Sequence, residues 1–161
     1  GPISFEPGRA ALLADRDGGA IFGIWQGRLV TEWESWRQAA PVFVTLHTRD
    51  AFDAAIFYGE ILGWASGRSG CCEVEYEGGE EVVLRSQGSV VARIESGAVD
   101  TAPDRSVRPH WQVHFVVADT SGGCARAAQE HGGDVLAECE HEAVLRDADG
   151  ALFVVSSSRD H

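Results

Sequence analysis

Histidines and carboxylates are the side chains of this sequence best equipped for chemistry, and two histidines stand out by position. His47 closes an apolar, β-branched run, PVFVTLHTR (41–49), shortly before Asp50, and His114 lies inside a second such run, HWQVHFVV (110–117). Strand alternation puts Phe43, Thr45 and His47 on one face, and Gln112, His114 and Val116 on the matching face of the second run. Joined by Glu73, Glu75 or Glu95, the two histidines could hold a divalent metal, which needs imidazole, carboxylate or thiolate donors and outer groups to orient them. They could equally be hydrogen-bonding and stacking groups of a pocket wall, or a titrating base. His131 and His141 read as surface residues, and His161 belongs to a terminal tail. Four cysteines (Cys71, Cys72, Cys124, Cys139) lack CxxC spacing, and Glu73 and Glu75 make poor surroundings for a thiolate nucleophile. Gly-Gly pairs at 18–19, 78–79, 122–123 and 132–133 follow no phosphate-loop spacing.

The elements that must carry these residues repeat. After the first run, Asp50 reads as a helix N-cap, Ala54, Phe57, Tyr58, Ile61 and Leu62 recur at helical spacing, and Gly63 ends the pattern. After the second run, Asp119 takes the capping position, Cys124, Ala127, Ala128 and His131 align, and Gly132 closes the helix. Short alternating segments follow each helix, at 71–77, 81–86 and 89–95, then at 134–140, 142–147 and 151–156. Gly78-Gly79, Gln87-Gly88 and Asp149-Gly150 mark turns among them.

Each unit therefore reads βαβββ, and the expected fold is α+β: two tandem modules (41–96 and 110–157) forming a cupped mixed sheet with helices outside. A third echo comes first, because ALLADRDGGAIFGIW (11–25) aligns with AVLRDADGALFVV (143–155) through an Asp-x-Asp-Gly turn. Residues 9–26 are thus expected to be a β-hairpin left from a preceding module, seeking a sheet edge of this chain or of a second copy. Residues 1–8 read as tag or tail, 27–40 and 97–109 as linkers, and 158–161 as a tail. The start Gly1-Pro2 and the absence of methionine fit a tag scar or a cut from a longer protein.

With 161 residues and 44% hydrophobic content, the chain can bury one sizeable core. Twenty-five acidic residues against 13 basic ones give a net charge of −12, so nucleic acid and anionic membranes are poor partners and cationic ligands better ones. No apolar run is long enough to span a membrane. Cysteine usage favours a reduced, cytoplasmic setting. The absence of lysine and asparagine fits a high-GC bacterial gene.

The pattern Asp50, Ala54, Phe57, Tyr58, Leu62, Gly63, Trp64 within paired βαβββ units resembles the vicinal oxygen chelate superfamily of glyoxalases, extradiol dioxygenases and bleomycin-resistance proteins. The resemblance covers residues 41–157, and the GIWQ ending of the hairpin is similar to the tail of a first domain in two-domain bacterial members. It implies metal ligands on the first strand of each module, here Phe43 and Gln112, and on the last strand, here Val154 and Ala92 or a neighbour. Glu95 moves in if the register is off by a residue, and Gly23 is the hairpin's counterpart. Phenylalanine, valine, alanine and glycine side chains cannot bind a divalent ion.

The reading is therefore a metal-free small-molecule-binding protein, with Phe43, Thr45, His47, Gln112 and His114 as pocket wall and Trp64 near the mouth or under the sheet. Its ligand is a small organic compound, cationic or aromatic, and no cofactor is expected. A divalent-metal lyase or dioxygenase using an unorthodox histidine site is the enzymatic alternative. A non-catalytic half of a larger two-domain protein is another, and the orphan hairpin makes a homodimer an expectation.

Overall fold

The computed structural model describes residues 3–5, 8–15, 19–28, 42–64, 72–78, 80–100, 108–117 and 123–157. The expected cap Asp119, Cys71, Gly79 and most of the two linkers lie outside the described residues. The chain divides into two compact units, residues 1–33 with 45–111, and residues 34–44 with 112–161.

The first unit opens with a three-stranded antiparallel sheet of β1 (Ile3–Phe5), β2 (Gly8–Ala14) and β3 (Ile21–Gly27). The hairpin expected at 9–26 is β2–β3, and β1 adds a strand from within the stretch read as a tail. Among the described residues β2 pairs with β1 on one side and β3 on the other, and none of the three pairs with an edge of the other strands of this chain. Asp15 fixes the turn: its carboxylate accepts from the backbone N–H of Gly19 and Ala20, and its own N–H donates to the Ala20 carbonyl. The rest of this unit follows β4 (Val42–His47), which the unit boundary crosses, with α1 (Ala51–Leu62), β5 (Glu73–Glu77), β6 (Glu81–Ser86), β7 (Ser89–Glu95) and the single turn α2 (Gly97–Asp100). Strand order here is β5-β6-β7-β4, with β5, β6 and β7 an antiparallel meander.

Local chemistry sets the limits of α1. The Asp50 carboxylate accepts from Asp53 N–H at 2.9 Å, and Gly63 ends the helix in the left-handed region at φ 68°. The buried face is Ala51, Ala55 and Tyr58, rotated from the expected stripe; Ile61 and Leu62 are exposed. Two alanines let the helix backbone approach the sheet closely and leave Tyr58 as the large buried group. Leu46, Val82, Leu84 and Ile94 form the apolar core of this unit beside it.

The second unit carries β8 (His110–Val117), whose first two residues count with the first unit, α3 (Ala125–Glu130), β9 (Asp134–Glu138), β10 (Glu142–Arg146) and β11 (Leu152–Ser157). Strand order is β8-β11-β10-β9, parallel between β8 and β11 and antiparallel elsewhere. Its core packs Ala143, Leu145 and Val155 against Phe115, Cys124 and Ala128. The β10–β11 turn repeats the β2–β3 device: the Asp147 carboxylate accepts from Asp149 and Ala151 N–H, and its own N–H donates to the Ala151 carbonyl. Gly150, at φ 97°, takes a conformation that a side chain would strain. The fold is thus α+β with a mixed sheet, as expected. None of the described helices is long and apolar enough to cross a membrane.

Candidate functional site

In the first unit, β4 delivers His47 at its end, beside the last residue of β7. The backbone N–H of Thr48 donates to the Glu95 carbonyl at 2.9 Å, and His47 Nδ1 lies 3.8 Å from Glu95 Oε2. The imidazole is mostly buried, while the carboxylate keeps 37% of its surface. On the other side of His47 stands His110, ring centroids 5.1 Å apart and tilted by 36°. His110 Nδ1 is 2.9 Å from the Arg108 carbonyl. A carbonyl only accepts, so Nδ1 carries the proton and the Nε2 of a neutral ring is left as an acceptor.

Alternation extends this face. Thr45, two residues before His47, is buried, and its hydroxyl has no hydrogen-bond partner among the described residues. Arg93, two residues before Glu95, shares the face and is tied to Glu81, which stands directly opposite Glu95 in the β6–β7 pairing. Ala92 and Ile94 point the other way into the core. Of the last-strand candidates, Ala92 therefore points away from this face, and its neighbour Arg93 and Glu95 occupy it.

In the second unit, the corresponding face carries a different chemistry. Phe43 and His114 stack nearly parallel, centroids 4.4 Å apart with 17° between planes. Val154 pairs in register with His114 and is buried. Gln112 lies two residues before His114, and two residues after Val154 the hydroxyl of Ser156 is buried with no hydrogen-bond partner among the described residues. On the opposite face, under α3, a hollow of about 330 Å³ is lined by Cys124, Ala128, Leu145, Phe153 and Val155. Its exposed surface is almost wholly apolar, although His131, Arg146 and Asp147 also line it.

The sequence-derived wall is thus divided. Thr45 and His47 belong to one cluster, Phe43, Gln112 and His114 to another, and Trp64 to neither. Trp64 stacks on Tyr58 at 5.8 Å, in an aromatic group with Phe22 and Trp111. The Trp111 indole donates to the Tyr58 hydroxyl at 3.3 Å. Burial pushes the Tyr58 phenol up to about 12, with Asp15 adding to the rise and the Trp111 bond opposing it. Trp64 therefore serves the packing around α1 and is not part of the wall beside His47. The sequence pattern does not single out His110 or Arg93, although His110 is in phase with Gln112 and His114.

The positions that the resemblance gives to a metal do not fit one. Phe43, Val154 and Ala92 offer hydrocarbon, Gln112 a single amide, Arg93 a cation and Gly23 no side chain, which leaves Glu95 as the one carboxylate among them. Among the described residues no three His, Cys, Asp or Glu are grouped to hold an ion.

A family model described as a glyoxalase-like domain matches residues 43–156. No curated protein matches the sequence. Among solved structures, an NAD-dependent benzaldehyde dehydrogenase from Legionella pneumophila aligns with 9% identity and a TM-score of 0.50, over 74% of this chain and 100% of that chain. A glyoxalase/bleomycin resistance protein/dioxygenase superfamily member from Vibrio splendidus 12B01 aligns with 18% identity and a TM-score of 0.47, over 74% and 98%. An uncharacterized protein from Methanosarcina mazei shares 16% identity at 0.44, over 74% and 93%. At 9% identity the first of these likenesses speaks for the fold alone, whereas the family model spans most of the chain. The chain belongs to the glyoxalase-like domain family, within the vicinal oxygen chelate superfamily.

Proposed function

We propose that the protein binds a small organic ligand with a planar aromatic group, on the sheet face that bears Phe43 and His114, and without a divalent ion at the family's positions. The observation that carries this reading is the parallel Phe43–His114 stack, 4.4 Å between centroids, standing where a metal ligand would be expected. Flat rings held in parallel extend naturally by a further ring, and such contacts add about 0.5–1.5 kcal/mol beyond area burial. The buried hydroxyl of Ser156 supplies a polar group in want of a partner on the same face. A net charge of −12 favours capture of cations over anions.

Fluorescence titration with 9-aminoacridine, a planar aromatic cation, tests the reading. Saturable quenching that weakens in Phe43→Ala supports it. Absence of binding, or binding indifferent to Phe43→Ala, overturns it.

A further inference from the structure

We propose that Glu95, His47, His110 and Thr45, all within the first unit, form a receptor for a protonated primary amine. This rests on the reading that the protein binds a small organic molecule, and it names the charged group that the first unit recognises.

The argument begins with charge. Glu81 and Glu95 face one another directly across β6 and β7, and like charges in that arrangement repel. Arg93 stands opposite Val83, two residues along β7 from Glu95, and pairs with Glu81. The ionic neighbour of Glu95 among the described residues is His47, at a 3.8 Å separation that is beyond a good hydrogen bond. The Glu95 carboxylate, partly withdrawn from water, is therefore left with acceptor capacity and an uncompensated charge.

The surrounding groups are acceptors as well. His110 spends its Nδ1–H on the Arg108 carbonyl and presents Nε2 as a lone pair. Thr45 Oγ1 is buried, with the hydroxyl lacking a partner among the described residues, on the face that carries His47. Leaving a buried hydroxyl unsatisfied is costly, and a ligand donor would relieve it. An alkylammonium carries three N–H donors and one positive charge, and so matches carboxylate, imidazole and hydroxyl acceptors together. A carboxylate or phosphate ligand would meet Glu95 and Glu81 and be repelled. A neutral alcohol would leave the charge of Glu95 unanswered.

NMR titration of the whole chain, following the imidazole resonances of His47 and His110, provides the test, with benzylammonium and benzyl alcohol as probes. The amine is expected to shift both histidines saturably, and the alcohol to bind about tenfold or more weakly, as the loss of a charge-assisted hydrogen bond implies. Glu95→Gln, which keeps the shape and removes the charge, should abolish that preference, as should 0.5 M salt in large part. Glu60→Gln, on the exposed side of α1, should leave it intact. Equal response to amine and alcohol, no response to either, or a preference that survives Glu95→Gln would overturn the proposal. If 9-aminoacridine still binds through Phe43 in that case, the ammonium receptor alone has failed; if neither probe binds, the ligand-binding reading has failed with it.

Discussion

The imidazole of His47 and the carboxylate of Glu95 stand level on neighbouring strands, Nδ1 to Oε2 at 3.8 Å, held there by the backbone bond from Thr48 to Glu95. The carboxylate keeps 37% of its surface, so the pair adds little to folding. Glu95→Gln is expected to change the unfolding free energy by less than about 1 kcal/mol. Urea denaturation measures this, and a larger loss would mean the carboxylate is a structural group.

Phe43 supplies one of the two flat rings on which the aromatic reading rests. Its truncation to alanine should weaken planar aromatic ligands by roughly 2–10-fold, while a phenylalanine outside the stack, Phe52→Ala, should leave them unchanged. Parallel fluorescence titrations of the three proteins decide it.

The family's metal positions are expected to respond to donors once these are supplied. Wild-type protein dialysed against Ni²⁺ or Co²⁺ should retain well under one equivalent by elemental analysis. The triple variant Phe43→His, Gln112→His, Val154→Glu should retain more, and a Co²⁺ variant should show ligand-field bands, because imidazole and carboxylate then replace hydrocarbon. A stoichiometric ion in the wild type would defeat the metal-free reading.

Tyr58 predicts an alkaline transition. Its phenol ionises near 12 in the folded protein against 10.0 when free, so the neutral form is the one the fold favours. The associated stability is fully present below pH 10 and is lost as pH rises through 12, by up to roughly 2–3 kcal/mol. Chemical denaturation at pH 9 and pH 11.5 should show this loss in the wild type and a smaller one in Tyr58→Phe. The variant should also lose about 1 kcal/mol at pH 9, with the bond from Trp111 removed.

Much of the architecture was legible because it rests on local rules. Asp50, Gly63, Gly88 and Gly150 mark element limits that hydrogen bonding and positive φ enforce, and alternation fixed the shared face of Thr45 and His47. The face of α1 was harder, since Ala51 and Ala55 look unremarkable in a hydrophobic pattern yet are what the sheet can approach. The last strand of the first module is legible only as Ala92 or a neighbour, because β7 slips against β6 between Leu84 and Arg85, and a bulge leaves no mark in composition. That slip decides whether Ala92 or its neighbours Arg93 and Glu95 reach the face. The partnership of His47 with His110 joins residues distant in sequence and depends on strand order, which alternation alone does not give.

Asp15 and Asp147 obey one hydrogen-bonding rule in two turns of different length, each carboxylate gathering the amides ahead and each backbone N–H reaching the alanine that opens the next strand. What the two turns share is therefore a constraint on how two strands enter and leave, while their loop lengths differ. A residue-by-residue comparison of the two segments stumbles over the extra glycine, while the pairing of the strands on either side is preserved. Kinship among such repeats is better sought in which amides a side chain collects than in how many residues intervene.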